Sequence, residues 1–437
     1  MGIAQKFPNN RRLVLGSVFL IANALIWYFS ASKVLETIIN GDIKLWAVHF
    51  GALIFSLIIG TFVVKKMERK LFFAFWTTLG IISPIALFGL DFARAPVTLL
   101  TSVLFGVSLG LGMPSCMEAF VNLTETKSRG RYSGLIMFLS CAGTVSLALI
   151  NISSSVLLSA LVLIVWRSLG LIPLLSREFT KVKLRTNNVS FAFILEQRSF
   201  IFYLVPWLMF SLVNYLSIPI QSTVLGQSTL NILMILEGAI IGIFAIISGF
   251  LIDTFGRKRI AIAGFVMVGI GYSVLGLYPN EMASWYFYTI LDGIAWGIFY
   301  VMFVILIWGD LSYSASSEKY YAIGIIPFVI SQFIQFVLGN YITLSVTSYA
   351  LFSFVAFFLF LAVLPLLYAP ETLPEKALKD RELKGYAEKA LKQAQKEADK
   401  TQKKESNKAK KEDSIGDKEL EESPEYEEAR KLAEKYY

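Results

Sequence analysis

The chain has 437 residues, of which 55% are hydrophobic and only 16% charged, with a formal net charge of +8. That much apolar surface cannot be buried inside a soluble domain of this length, so the composition points to a polytopic membrane protein. The positive excess fits membrane topology, with Lys and Arg gathered in cytoplasmic loops. It forms no folded basic face of the kind a nucleic acid needs.

A helix needs about 20 apolar residues to cross a bilayer. Such runs occur at 13–31, 45–64, 71–90, 96–119, 132–152, 154–175, 200–222, 229–252, 260–278, 283–309, 320–342 and 346–369, twelve in all. Their apolar residues are continuous rather than alternating, which excludes a transmembrane barrel. Arg11 and Arg12 precede a full-length first span without a cleavage pattern, so that span reads as retained rather than as a signal peptide. Cys116 and Cys141 lie inside apolar runs and read as buried thiols.

Basic residues mark alternate loops. They are Arg11 and Arg12; Lys65, Lys66, Arg69 and Lys70; Lys127, Arg129 and Arg131; Arg177, Lys181, Lys183, Arg185 and Arg198; and Arg257 to Arg259. This bias and the even number of spans put both termini in the cytoplasm. The chain also repeats itself. Leu104-Phe-Gly106-Val-Ser-Leu-Gly110 matches Leu291-Asp-Gly293-Ile-Ala-Trp-Gly297, Arg69-Lys70 matches Arg257-Lys258, and Arg131-Tyr132-Ser-Gly134 matches Lys319-Tyr320-Tyr321-Ala-Ile-Gly324, at offsets of 187 to 190 residues. The expected organisation is a first six-helix half (1–175), a central cytoplasmic loop (176–198), a second half (199–370) and a charged tail (371–437). The tail reads as solvated chain or as a helix for a partner.

Between the eighth and ninth spans runs Gly249-Phe-Leu-Ile-Asp253-Thr-Phe-Gly256-Arg257-Lys258. It resembles the loop between helices 8 and 9 of the major facilitator superfamily, Gly-x-x-x-Asp-x-x-Gly-Arg-Lys. The resemblance, over residues of about 11 to 370, implies an all-α fold of 12 transmembrane helices in two pseudo-repeats. It also implies alternating access to a midplane cavity lined by helices 1, 4, 7 and 10. Asp253 and Arg257 would then brace the cytoplasmic end of helix 11. Asp310 would pair Arg257, and Gly249, Gly256 and Lys258 would complete the latch. The first half keeps a degraded copy: Gly60 and the basic end remain, no Asp is present, and Glu68 replaces the loop glycine. Ser102 stands where the family often has an Arg associated with proton coupling, so the resemblance does not imply the standard proton mechanism; the antiporter glycine pattern of helix 5 is absent too, so drug/proton antiport is not implied. Pro370-Glu371-Thr372 resembles the end of the last helix in sugar porters.

Ionisable groups at bilayer depth are costly and are functional candidates by default. Asp292 shares a helical face with Trp296, Phe299 and Phe303, with Tyr300 beside it. It is either a cavity carboxylate able to bind a cation or carry a proton, or a helix-start carboxylate at the outer interface. Glu237 is the other coupling candidate. Arg167 is expected to reach the headgroups. The neutral substrate-binding candidates are Asn23, Trp27, Asn214, Gln332 and Gln335, each also able to serve as an interhelical hydrogen-bonding or packing group. Trp46 and Trp285 read as interface anchors.

No nucleotide-binding motif, metal-ligand set or nucleophile–base pair can be assembled, so neither an enzyme nor a cofactor is expected. The expected function is secondary transport of a small, neutral or weakly charged organic solute across the cell membrane, uptake over efflux, either by symport with a proton or sodium as the coupling ion or by facilitated diffusion. A transporter-like receptor or scaffold signalling through its tail is the alternative.

Overall fold

The computed structural model describes residues 11–88, 95–151, 155–176, 189–313, 315–373 and 424–436. Basic residues Arg177, Lys181, Lys183 and Arg185 of the expected central loop lie outside these, as does most of the tail. Among the described residues there is no strand. Residues up to Pro374 form one compact unit and the rest of the chain another, in which helix Pro424–Tyr436 is exposed and carries an Arg430–Glu434 pair.

Twelve long helical segments build the first unit: α1 (Arg11–Ile39), α2 (Ile43–Lys66), α3 (Arg69–Leu87), α4 (Pro96–Leu123), α5 (Arg129–Asn151), α6 (Val156–Leu175), α7 (Arg198–Leu225), α8 (Gln227–Phe255), α9 (Arg257–Leu277), α10 (Met282–Leu311), α11 (Glu318–Ser345) and α12 (Ser348–Tyr368). Among the described residues, eleven helices are long and apolar enough to cross a bilayer.

The breaks follow local chemistry. Between α1 and α2 the chain turns through Asn40 and Gly41, both at positive φ, and the Asp42 carboxylate then accepts from Lys44 N at 2.8 Å to start α2. Gly256, at φ +99°, separates α8 from α9. Pro206 and Pro219 lie inside α7; the hydroxyls of Ser222 and Thr223 donate to the Pro219 carbonyl. In α10, residues Tyr300–Leu306 wind as a π-helix, a widening of the turn that is frequent at functional sites.

Within the first half α1 packs on α4, α5 and α6, α2 on α4, and α3 on α6. Within the second, α7 packs on α11, α8 on α10, and α9 on α10 and α12. The halves meet chiefly through α5 with α8 and α2 with α11, and also through α4 with α11 and α10 and through α5 with α10. Lipid gives helices no hydrophobic reason to associate, so close packing of small residues carries these seams. A Cβ at Gly249 would stand 2.5 Å from the Gly130 carbonyl oxygen, and one at Gly134 2.5 Å from that of Ala245.

Candidate functional site

A cavity of about 40 Å³ lies between the halves, enough for only a few water-sized molecules. It is lined by residues of α1, α4, α5, α7, α10 and α11, among them Tyr28, Phe29, Met137, Trp207, Tyr300 and Phe328. Its surface is almost wholly apolar. The π-segment of α10 delivers three of its residues, Tyr300, Phe303 and Val304.

One end of the bundle is closed by charges. Asp310, at the end of α10, pairs with Arg129 of α5 and with Arg257 of α9, whose Nε lies 3.0 Å from Oδ2. All three side chains are buried. Asp253 does not reach α11. Its carboxylate accepts from the backbone N–H groups of Gly130 (2.9 Å) and Arg131 (3.0 Å), at the start of α5. The unpaired N–H groups and dipole of a helix N-terminus make a ready anion site, and the glycine seam brings α5 within reach of it. Glu371 does the same for α9, accepting from Arg257 N at 2.9 Å and Lys258 N at 3.1 Å. The Lys258 ammonium donates to the Leu367 carbonyl at 2.6 Å. Gly249 provides the close approach and Gly256 the turn, so the six expected latch residues meet in one place, joined by Arg129 and Glu371.

Towards the other end, the α2–α11 seam is closed by rings. Trp46 stacks on Phe336 with centroids 4.3 Å apart, and Phe50 packs against Phe333 and Phe336. Trp46 is 4% exposed and Trp285 2%, so both are packed inside the protein rather than anchored at the interface. The Trp285 indole donates to the Pro279 carbonyl at 2.8 Å.

The expected binding residues are dispersed. Tyr300 lines the cavity. Trp296 lies behind it, ring centroids 4.6 Å apart. Gln332 accepts from the Tyr28 hydroxyl at 3.2 Å and donates to Tyr215 at 2.9 Å, linking the halves beside the cavity. Gln335, one turn on, is half-buried. Asn23 is committed to α6, donating to the Trp166 carbonyl at 2.7 Å and accepting from Arg167 at 2.9 Å. Trp27 packs edge-on to Phe105. Arg167 is fully buried with its guanidinium 4.4 Å from the Trp76 ring, and so does not reach the headgroups.

Asp292 belongs to a polar cluster confined to the second half. Its Oδ2 accepts from Tyr288 at 2.9 Å. The Tyr288 hydroxyl lies 3.0 Å from that of Tyr272, which donates to Asn214 at 3.3 Å and bonds Ser217 at 2.8 Å. Glu237 of α8 faces Asp292 closely enough to interact with it. The two coupling candidates thus meet, away from the cavity lining.

No family model matches the chain, and no curated protein matches it in sequence. Solved structures do. The human organic anion transporter MFSD10 (TETRAN) is 11% identical, over 82% of this chain and 100% of that one, with a TM-score of 0.63. The proton:xylose symporter XylE, bound to 6-bromo-6-deoxy-D-glucose, is 15% identical, over 83% and 96%, with a TM-score of 0.58. A double-tryptophan mutant of XylE, 15% identical, covers 84% and 98% with a TM-score of 0.60. These agree with the two-half packing described above: the chain has the fold of the major facilitator superfamily.

Proposed function

We propose that this integral membrane protein is a secondary transporter, moving a small organic solute by alternating access of a cavity between its two halves. The observation that carries the reading is a cavity between two dissimilar seals, a charged latch at one end and an aromatic α2–α11 seam towards the other. Parting one seal while the other holds would expose the cavity to one side at a time. From the basic loops we assign the charged latch to the cytoplasmic side, and uptake is the direction we assign.

The lining selects against charge. It offers aromatic faces, methionines and two tyrosine hydroxyls, with Gln332 just behind, and no cationic side chain. Those groups suit an uncharged, ring-bearing or otherwise apolar solute more than the organic anion of the first neighbour. Asn23 and Asn214, already bonded within their own halves, support the packing of those halves and not the solute. A proton is the coupling ion we assign, with Glu237 and Asp292 as carriers.

The test is a thermal-shift screen of neutral solutes on the purified protein, followed by flux into proteoliposomes. The reading predicts saturable flux of a solute that stabilises the protein, and loss of both stabilisation and flux in Tyr300→Ala. Stabilisation without flux in the full-length protein would contradict it.

A further inference from the structure

A second charged cluster lies on the seam between α4 and α11, at the same end as the latch but separate from it. Arg69, at the start of α3, donates to Glu118 of α4 at 2.9 Å within the first half. Glu318 begins α11 in the second half and faces Glu118 across the seam, close enough for the two carboxyls to interact. Glu118 is 0% exposed and Glu318 1%. Apart from this contact between the two carboxyls, Glu118 Oε1 and both oxygens of Glu318 accept from no donor, and the adjacent Ser317 hydroxyl has no hydrogen-bond partner.

The other charges facing this pair are few. Arg69 reaches it from α3 and Lys65 from α2. Lys319, next to Glu318, is otherwise engaged: its ammonium donates to the Val189 carbonyl at 2.8 Å and lies over the rings of Phe62 and Phe191. Two ionised carboxylates held together away from water repel each other, and a single proton between them removes the repulsion. A metal cation fits poorly, because the Arg69 guanidinium and the positive end of the α11 dipole occupy the same place.

We propose that Glu118 and Glu318 form a proton-binding site on the seam, holding one proton when the halves meet at this end and losing it when they part. Parting leaves Glu118 with Arg69 and carries Glu318 away on α11 into water. The O–H bond breaks there, the electron pair stays on the carboxylate and the proton goes to solvent. The proton therefore links pH to opening of the latch end; this rests on the alternating-access reading. The closed form binds one proton more than the open form, so raising the pH favours opening, by up to about tenfold in the open-to-closed ratio per pH unit.

The experiment uses full-length protein in nanodiscs, with Cys116 and Cys141 replaced by Ala and spin labels at Lys127→Cys and Arg259→Cys, one in each half. Distances are measured from about pH 5 to about pH 9. The open fraction should rise with pH, and Glu318→Gln, whose amide can donate to Glu118, should flatten that response. Glu118→Gln, which still accepts from Arg69, should flatten it too and covers a folding failure of the first variant. A parent whose distances ignore pH, or a folded Gln variant that keeps the full response, overturns the proposal. Asp253→Asn separates the two readings. If it opens this end while the Gln variants still respond to pH, the proton site alone fails; if it leaves the end closed throughout, alternating access fails as well.

Discussion

Asp310 is the residue on which the charged seal converges. It compensates two buried guanidiniums, Arg129 from the first half and Arg257 from the second. Removing one partner of a buried ion pair costs about 3–5 kcal/mol, because the remaining charge stays out of water. On the alternating-access proposal, parting of the halves would rehydrate both arginines, so the cost would fall on the closed form. Asp310→Asn should therefore expose the latch end: a cysteine at Ser128 should react with a water-soluble maleimide at least tenfold faster than in the parent. An unchanged rate would mean that the pair is structural and plays no part in closing. The Arg257–Asp310 contact was legible in the sequence because the family resemblance covers both positions. Glu118 was not, although it is an acid inside an apolar run and meets the rule that singled out Asp292. Its partner Glu318 lies 200 positions away, and no periodicity records which faces of α4 and α11 meet. Asn23 was misleading for the same reason: a polar residue on α1 is equally compatible with facing a cavity or bonding Arg167.

At the scale of helices, the α5–α8 seam sets how closely Asp253 can approach the N-terminus of α5. Gly134 and Gly249 face backbone carbonyl oxygens, which cannot swing aside as side chains do. Adding a methyl at Gly249 should push α8 off α5 and take Asp253, one turn on, out of reach of Gly130 and Arg131. Overpacking of this kind costs about 1–3 kcal/mol. Gly249→Ala should lower the melting temperature and raise latch-end labelling, the latter as Asp253→Asn is expected to do. Gly51→Ala, where a Cβ meets nothing within 4 Å, should do neither. Equal effects of the two substitutions would remove close packing as the explanation. Helix identity and order were readable from apolar run lengths alone. The π-segment was not: seven residues of α10, Tyr300–Leu306, leave the 3.6-residue period, so the face projected through Asp292, Trp296 and Phe303 is rotated where it reaches the cavity. Asp253 was expected to brace the end of helix 11 and instead bonds the N-terminus of α5, because an acid in a motif does not say which helix N-terminus comes near it.

The contacts between the halves include a charged one and an aromatic one, which the proposed function reads as two seals of different chemistry. The charged one is read from its motif; the aromatic one was missed because Trp46, at a span end, has the same sequence signature whether it meets lipid headgroups or Phe336. An aromatic pair of this kind contributes about 1 kcal/mol beyond burial, small enough for the contact to break in a transport cycle. If the seals alternate, weakening one should favour the state in which the other stays shut. The direct measurement is a pair of distances on the full-length protein, Lys127 to Arg259 across the charged seal and Lys44 to Leu338 across the aromatic one, by spin labels at engineered cysteines. Asp253→Asn should lengthen the first and leave the second short, while Trp46→Ala should do the reverse. Lengthening of both distances together in either variant would contradict alternating access.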